Sequence, residues 1–341
     1  MLENKIKLLI VDDSILFRET LAKFFVNDNL IEVIGKASDP YEARDKIMEL
    51  RPDVITLDVE MPKMNGIQFL KKLIPQCPIP TVIVSSAPIM AFDALDAGAV
   101  DYVKKPMIKT PKDMEAFAAD IRGKVITASQ AKVIQKRSSA IKEDALTQTS
   151  MSKNKDTIIA IGASTGGTDA LQTVLTALPA NMPPIVIVQH MPPGFTKMFA
   201  DRLNKICAVE IREAKDGDRL HSGLALIAPG DFHMSLHKDT QGYFVKIDMG
   251  EKVSSHRPSV DYLFNTVAKV AGKNAIGVIL TGMGSDGADG MVKMKNQGAY
   301  TIGQDKDTCV VYGMPMTAYM RGGVTIQAPL DKISSLICKR L

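Results

Sequence analysis

The chain has 341 residues, 45% of them hydrophobic and 23% charged, with no Trp and a formal net charge of +4. That length exceeds what one core usually holds, so two domains are expected, and no run of about 18 apolar residues is present to cross a bilayer. The positive charge is confined to residues 122–155, where eight Lys and Arg face two acids, leaving 34 against 36 elsewhere; such a balance excludes a basic nucleic-acid-binding domain.

The opening "MLENKIKLLIVDDS" carries acids at once and lacks the cleavage region of a signal peptide, so a cytoplasmic protein is expected. Cys77, Cys207, Cys309 and Cys338 stand apart without a CxxC spacing and read as reduced, structural thiols. Across residues 1–122 the runs "KLLIV", "DVITL", "TVIVS" and "DYVKK" read as strands, with "IEVIG" a weaker fifth. Amphipathic stretches at Ser14–Asn27, Pro40–Leu50 and Gly66–Leu73 alternate with them. That order predicts an α/β domain with a parallel sheet covered by helices on both faces.

Asp12 and Asp13 follow the first strand and Asp58 ends "DVITL". In a parallel sheet the carboxyl ends of neighbouring strands lie together, so three carboxylates converge on one rim. A hard divalent cation such as Mg²⁺ is the natural partner of such a cluster. Ser85 at a third strand end and Lys105 after "DYVK" bring a hydroxyl and an ammonium to the same rim, with Ser86 a competitor for the hydroxyl. Asp13, one residue before Ser14, also reads as a helix cap. The set over Lys5–Arg122 resembles the receiver domain of two-component response regulators. The resemblance implies Asp58 as phospho-acceptor, Asp12, Asp13 and Asp58 around Mg²⁺, Ser85 and Lys105 as sensors of the phosphoryl group, and Tyr102 as the aromatic switch.

From Gly123 to Lys155 the pattern fades into Gln, Ser, Thr and Lys, a basic and partly helical linker. Strand and helix then alternate again through residues 156–341. "TIIAIG", "PPIVIVQH" and "AIGVILTG" read as strands, with helices at Thr168–Leu178, Gly194–Lys205, Ser259–Ala271 and Gly287–Gln297, and a β-rich insert at Glu210–Ile247. This predicts a second doubly wound, Rossmann-like domain.

"IIAIGASTGG" ends a strand in a serine among small residues. It lacks GxGxxG and has no Lys-Ser/Thr after its glycines, so it is neither a dinucleotide fingerprint nor a P-loop. Gly162-Ala163-Ser164-Thr165-Gly166 does match GxSxG between a strand and a helix, the pattern of a nucleophile elbow and equally of a plain glycine-rich turn. A nucleophilic serine needs a base, and His190 at the end of "PPIVIVQH" lies on the rim of Ser164. His233 and His237 in "DFHMSLHKD" have the spacing of a metal pair, and His221 and His256 read as surface or substrate-side groups. Asp286, after "LTGMGS", completes a Ser-His-Asp set, with Asp289 as competitor and a helix cap as the alternative role.

That Ser, His, Asp order differs from the α/β-hydrolase order. "GASTGGTDAL", "QHMPPGFT" and "LTGMGSDGADGM" resemble the catalytic domain of the chemotaxis protein-glutamate methylesterase/glutaminase (CheB) family, whose receiver, linker and hydrolase order this chain repeats. The resemblance implies Ser164 as nucleophile, His190 as general acid/base and Asp286 as orienting acid. It further implies hydrolysis of glutamate γ-methyl esters on methyl-accepting chemotaxis receptors, with methanol released, and deamidation of receptor glutamines. Phosphorylation by the chemotaxis histidine kinase CheA is implied, and no metal for the hydrolysis. Elbow geometry makes Thr165 N–H one oxyanion donor, and the "TGMG" turn offers Met283 N–H as a second. A monomer without membrane insertion is expected. A small-molecule serine esterase and a phosphorylation-dependent binding module with a vestigial site are the rival readings; a DNA-binding output lacks a helix-turn-helix pattern.

Overall fold

The computed structural model describes residues 5–86, 88–106, 110–133 and 156–341. Two compact units result; most of the predicted linker, residues 134–155, lies outside the described residues.

The amino-terminal unit runs β1 (Ile6–Val11), α1 (Ile15–Phe24), β2 (Ile31–Ala37), α2 (Pro40–Leu50), β3 (Val54–Leu57), α3 (Gly66–Leu73), β4 (Thr81–Ser85), α4 (Pro88–Asp96), β5 (Asp101–Lys104) and α5 (Pro111–Ser129). Its sheet has the order β2-β1-β3-β4-β5, with every neighbouring pair parallel. Helix starts follow local chemistry: Ser14, Asp39 and Asn65 each accept backbone N–H bonds as caps of α1, α2 and α3. Ser14, not Asp13, is thus the cap of α1. A capping box between Thr110 and Asp113 opens α5. That helix continues past Gly123 because Phe117, Ile121, Val125 and Ala128 recur at helical spacing and are all buried. Residues 123–129, read from the sequence as the start of the linker, are its last turns.

The carboxy-terminal unit runs β6 (Ile158–Ala163), α6 (Gly167–Thr176), β7 (Ile185–Gln189), α7 (Phe195–Asn204), β8 (Glu210–Glu213), β9 (Leu224–Ile227), β10 (His233–Asp239), β11 (Gly242–Asp248), α8 (Val260–Ala271), β12 (Ala275–Ile279), α9 (Ala288–Asn296), β13 (Tyr300–Gln304), α10 (Met314–Met320), β14 (Ile326–Ala328) and α11 (Leu330–Arg340). Seven strands form one parallel sheet in the order β14-β13-β12-β6-β7-β9-β8. Every residue of β6, β7 and β12 is buried, as expected of central strands covered on both faces. The predicted β-rich insert is corrected here: β8 and β9 belong to the main sheet, and only the antiparallel hairpin β10-β11 stands outside it. The half-exposed residues of edge strand β8 mimic a two-sided hairpin in the sequence.

The winding direction reverses between β1 and β3 in the first sheet and, at the centre of the second, between β6 and β12. The crevice beyond the carboxyl ends of the strands at such a point is where open α/β sheets bind ligands.

Candidate active site

Ser164 leaves the end of β6 in a turn pinned from three sides. Its N–H donates to Thr281 O at 3.0 Å, and its carbonyl accepts from Gly167 N–H at 2.7 Å and from the buried Gln189 Nε2 at 2.9 Å. Gly166 takes the left-handed conformation, φ 75°, as the residue before α6, and a Cβ there would sit 2.6 Å from Val310 Cβ. Both the turn and the packing therefore require glycine.

His190 follows β7, its N–H donating to Ala163 O at 3.2 Å. Its ring spans the crevice: Nδ1 lies 3.1 Å from Ser164 Oγ and Nε2 lies 2.8 Å from Asp286 Oδ2. An ionised Asp286 only accepts, so Nε2 carries the proton and Nδ1 is left to accept the serine hydroxyl. The ring presents Nδ1 to the serine, the reverse of the chymotrypsin arrangement, yet either nitrogen relays a proton.

Asp286 is buried, and four donors converge on its carboxylate. Oδ1 accepts Ser259 OγH at 2.7 Å and Asp261 N–H at 3.0 Å, while Oδ2 accepts Val260 N–H at 2.7 Å along with His190. The carboxylate thus sits on the first turn of α8, where the helix dipole favours an anion. Burial pushes its pKa up, but the His190 hydrogen bond and charge, the Asp261 N–H and the Ser259 hydroxyl outweigh that and hold it below the ordinary value. The competitor, Asp289, is exposed and paired with Arg321.

Thr165 is buried beside the serine, and its carbonyl accepts Thr281 OγH at 3.0 Å. Met283 belongs to a turn whose Gly282 packs directly on the nucleophile: a Cβ on Gly282 would lie 2.6 Å from Ser164 Cβ and 2.4 Å from Sδ of the buried Met314. Gly282→Ala is therefore expected to displace the serine and slow Ser164 labelling by a fluorophosphonate about 10- to 100-fold; a wild-type labelling rate in a folded variant would show that the turn tolerates the methyl.

Two supports of the site carry no signal in the sequence, and a third is a histidine with a looser reading there. Ser259 and the N–H groups of Val260 and Asp261 hold Asp286, Gln189 holds the serine carbonyl, and the half-buried His256 stacks on His190 with ring centroids 3.8 Å apart and planes 14° apart. His256, read from the sequence as a surface or substrate-side group, therefore lies against the imidazole of the triad. His233 is fully buried, with Nε2 against Glu251 O at 2.8 Å and Nδ1 accepting Ser259 N–H at 3.3 Å. His237 meets Ser235 Oγ at 3.1 Å. The metal-pair alternative for these two is set aside, since both nitrogens of His233 are engaged.

In the first unit, Asp12 and Asp58 are buried at the ends of neighbouring strands β1 and β3, and Asp13 is exposed beside them. Oxygens of all three lie within 4.8 Å of one another, the only such His, Cys, Asp or Glu group among the described residues. Lys105 Nζ bridges Asp12 at 2.7 Å and Asp58 at 2.5 Å. Burial raises the Asp58 pKa, opposed by the Lys105 hydrogen bond and charge and reinforced by Asp12. Ser85 is buried at the end of β4, and its carbonyl accepts Lys105 N–H at 3.0 Å, whereas Ser86 is exposed. Tyr102 is buried in β5 with the Lys124 ammonium 5.5 Å from its ring centre.

A receiver-like acid pocket and a Ser-His-Asp crevice on one chain define a response regulator with a hydrolase-type output unit. The family models agree on both halves: residues 8–117 match the response regulator receiver domain and residues 159–337 match the CheB methylesterase. The chain is 47% identical to the protein-glutamate methylesterase/protein-glutamine glutaminase of Syntrophotalea carbinolica, over 98% of this chain and 97% of that one. It is 46% identical to the protein of the same name from Salmonella typhimurium, over 99% and 97%. The crystal structure of the Thermotoga maritima CheB methylesterase catalytic domain superposes with a TM-score of 0.53 at 41% identity, covering 54% of this chain and 98% of that one. The chain belongs to the CheB family of protein-glutamate methylesterases/glutaminases.

Proposed function

We propose that this protein is a phosphorylation-activated methylesterase and glutaminase, acting in the cytoplasm on glutamate γ-methyl esters and glutamines of methyl-accepting chemotaxis receptors. Its division is read as a receiver over residues 1–122, a basic, partly helical linker over 123–155 whose first residues close α5, and a catalytic domain over 156–341. The observation that carries the reading is the hydrogen-bonded path from Ser164 through His190 to Asp286 at the switch point of the second sheet.

Ser164 Oγ attacks the γ-carbonyl carbon as its proton passes to His190 Nδ1. The imidazolium is stabilised by Asp286, and the oxyanion by the N–H groups of Thr165 and Met283. Collapse expels the methoxy group, which takes the proton from His190 and leaves as methanol; a glutamine amide leaves as ammonia by the same path. Water then attacks the acyl-serine, His190 takes its proton and returns one to Ser164, and the free glutamate departs.

In the receiver, Asp58 takes the phosphoryl group from the chemotaxis histidine kinase, while Ser85 and Lys105 engage its oxygens and Tyr102 relays the change. The oxygen-only donor set fits a hard cation: Asp12, Asp13 and Asp58 would hold Mg²⁺, which when bound offsets the negative charge gathered there. No described helix is long and apolar enough to cross a membrane.

The test is methanol release from methylated receptor membranes with Mg²⁺ and a small phosphodonor. Wild type is expected to release methanol faster with phosphodonor, and Asp58→Asn to keep only the basal rate. Equal stimulation of Asp58→Asn would remove Asp58 from the gate, and no methanol from wild type would overturn the esterase reading.

A further inference from the structure

His256 is absent from the Ser-His-Asp path, yet the fold goes to some length to place it. Its imidazole lies face to face with that of His190, 3.8 Å between centroids and 14° between planes. The loop that delivers it holds Ser254 at φ 51° and Ser255 at φ 67°, two consecutive non-glycine residues in the left-handed region. Such conformations are unfavourable for side chains and persist where surrounding structure enforces them, commonly at functional sites.

The enforcement is visible on both sides of the ring. Val253 and His256 exchange backbone hydrogen bonds, at 3.1 Å and 2.9 Å, closing the loop into a tight bridge. The next residue, Arg257, is clamped by Asp231 Oδ1 at 3.1 Å and 2.8 Å and donates to Gly250 O at 2.9 Å. Two residues further, Ser259 caps α8 and donates to Asp286. The same short segment therefore fixes the ring above His190 and the carboxylate at its edge.

We propose that His256 is a positioning residue of the hydrolase site, whose ring face holds the plane of the His190 imidazole. The ring still turns about its Cβ–Cγ bond, and one hydrogen bond at each nitrogen opposes a small rotation only weakly. Such a roll carries Nδ1 off the line to Ser164 Oγ and Nε2 off the line to Asp286. A parallel ring at van der Waals distance opposes the roll and so keeps Nδ1 aligned as it takes the serine proton. The contribution is thus larger in the transition state than in the resting enzyme, and it belongs in kcat.

The inference rests on the methylesterase reading for its substrate, but a fluorophosphonate that labels Ser164 tests it without a receptor. In the full-length protein, His256→Ala and His256→Gln are expected to label about tenfold or more slowly than wild type, and His256→Phe, which keeps a flat ring, within about threefold. With methylated receptors the Ala variant should lose kcat at unchanged KM. Melting temperature identifies any variant that fails to fold, and the Phe and Gln pair then decides. Wild-type labelling by His256→Gln or His256→Ala, or Phe no better than Ala in folded protein, would overturn the proposal. Labelling of wild type without methanol release would count against the receptor substrate alone and leave the positioning role standing.

Discussion

Replacing Ser164 with alanine is expected to lower methanol release by about six orders of magnitude, with receptor binding unchanged. The size follows from how a triad works as one unit. Removing the nucleophile of a comparable set costs about 10⁶ in kcat, and the residue of activity, about 10³ above water, comes from the oxyanion donors and substrate positioning. Here Thr165, Gly282 and Met283 remain in place around an alanine, since the serine Cβ is retained and the elbow is held by backbone bonds. Adding His190→Ala to Ser164→Ala should then cost almost nothing more, because a base without a nucleophile has nothing to activate. A double variant far slower than the single would show that His190 serves a second path, such as direct activation of water. The assay is single-turnover methanol release with receptor in excess, alongside a binding measurement on the same membranes.

Asp286→Asn is expected to lose about 10⁴ in kcat and, unlike Ser164→Ala, to destabilise the fold. Two donors address each carboxylate oxygen: Ser259 OγH and Asp261 N–H on Oδ1, His190 Nε2–H and Val260 N–H on Oδ2. An asparagine presents an NH₂ on one side, so either orientation sets two donors against two donors. If the amide nitrogen faces His190, the imidazole tautomer is lost; if it faces Ser259, the Ser259 hydroxyl and the Asp261 N–H lose their acceptor at the start of α8. Charged hydrogen bonds of this kind contribute about 1.5–3 kcal/mol each, so a cost of about 2–4 kcal/mol to folding accompanies the loss of rate.

The same geometry sets a pH dependence. The folded pKa of Asp286 lies below its unfolded value, so its stabilising contribution is fully present above the unfolded carboxylate range, about pH 4, and is lost as pH falls through the depressed folded value. Chemical denaturation of wild type and Asp286→Asn between pH 7 and pH 3 should show the gap between them narrowing in acid. A gap that stays constant, or widens, would mean the carboxylate is not the group that holds α8.

Periodicity and strand ends made much of this legible. "KLLIV", "DVITL" and "TIIAIG" are buried central strands, and their continuous apolar runs have no competing interpretation at that length. Because such strands run parallel, the residues after them share a rim, so Ser164, His190 and Asp286 form one set on the sequence alone. What escaped the sequence has two causes. The edge strand β8 and the short β14 carry weak patterns, since half of an edge strand faces water. The supporting residues, Ser259, Gln189 and His256, act through loops whose paths depend on tertiary contacts, and nothing in the spacing of His256 and His190 brings their rings together. Gly162 and Gly287 show the same limit from the other side. Both make room for Val260, whose Cγ1 would lie within 2.5 Å of their added Cβ atoms, so glycines that the sequence shows at a strand end and a helix start are also the seat of α8.

The bond from Ser164 N–H to Thr281 O ties the start of the second unit to a residue far downstream, and Thr281 returns to Thr165 across 116 residues of chain. β6 finds β12 only after the intervening segments have been made, and long-range parallel pairing of this kind is slow to form. During synthesis, then, the nucleophile emerges from the ribosome long before the strand that shapes its turn. A chain halted before Thr281 carries the serine and the histidine without an elbow or an acid, and hydrolysis becomes a property acquired late, when the two halves of the sheet close on each other.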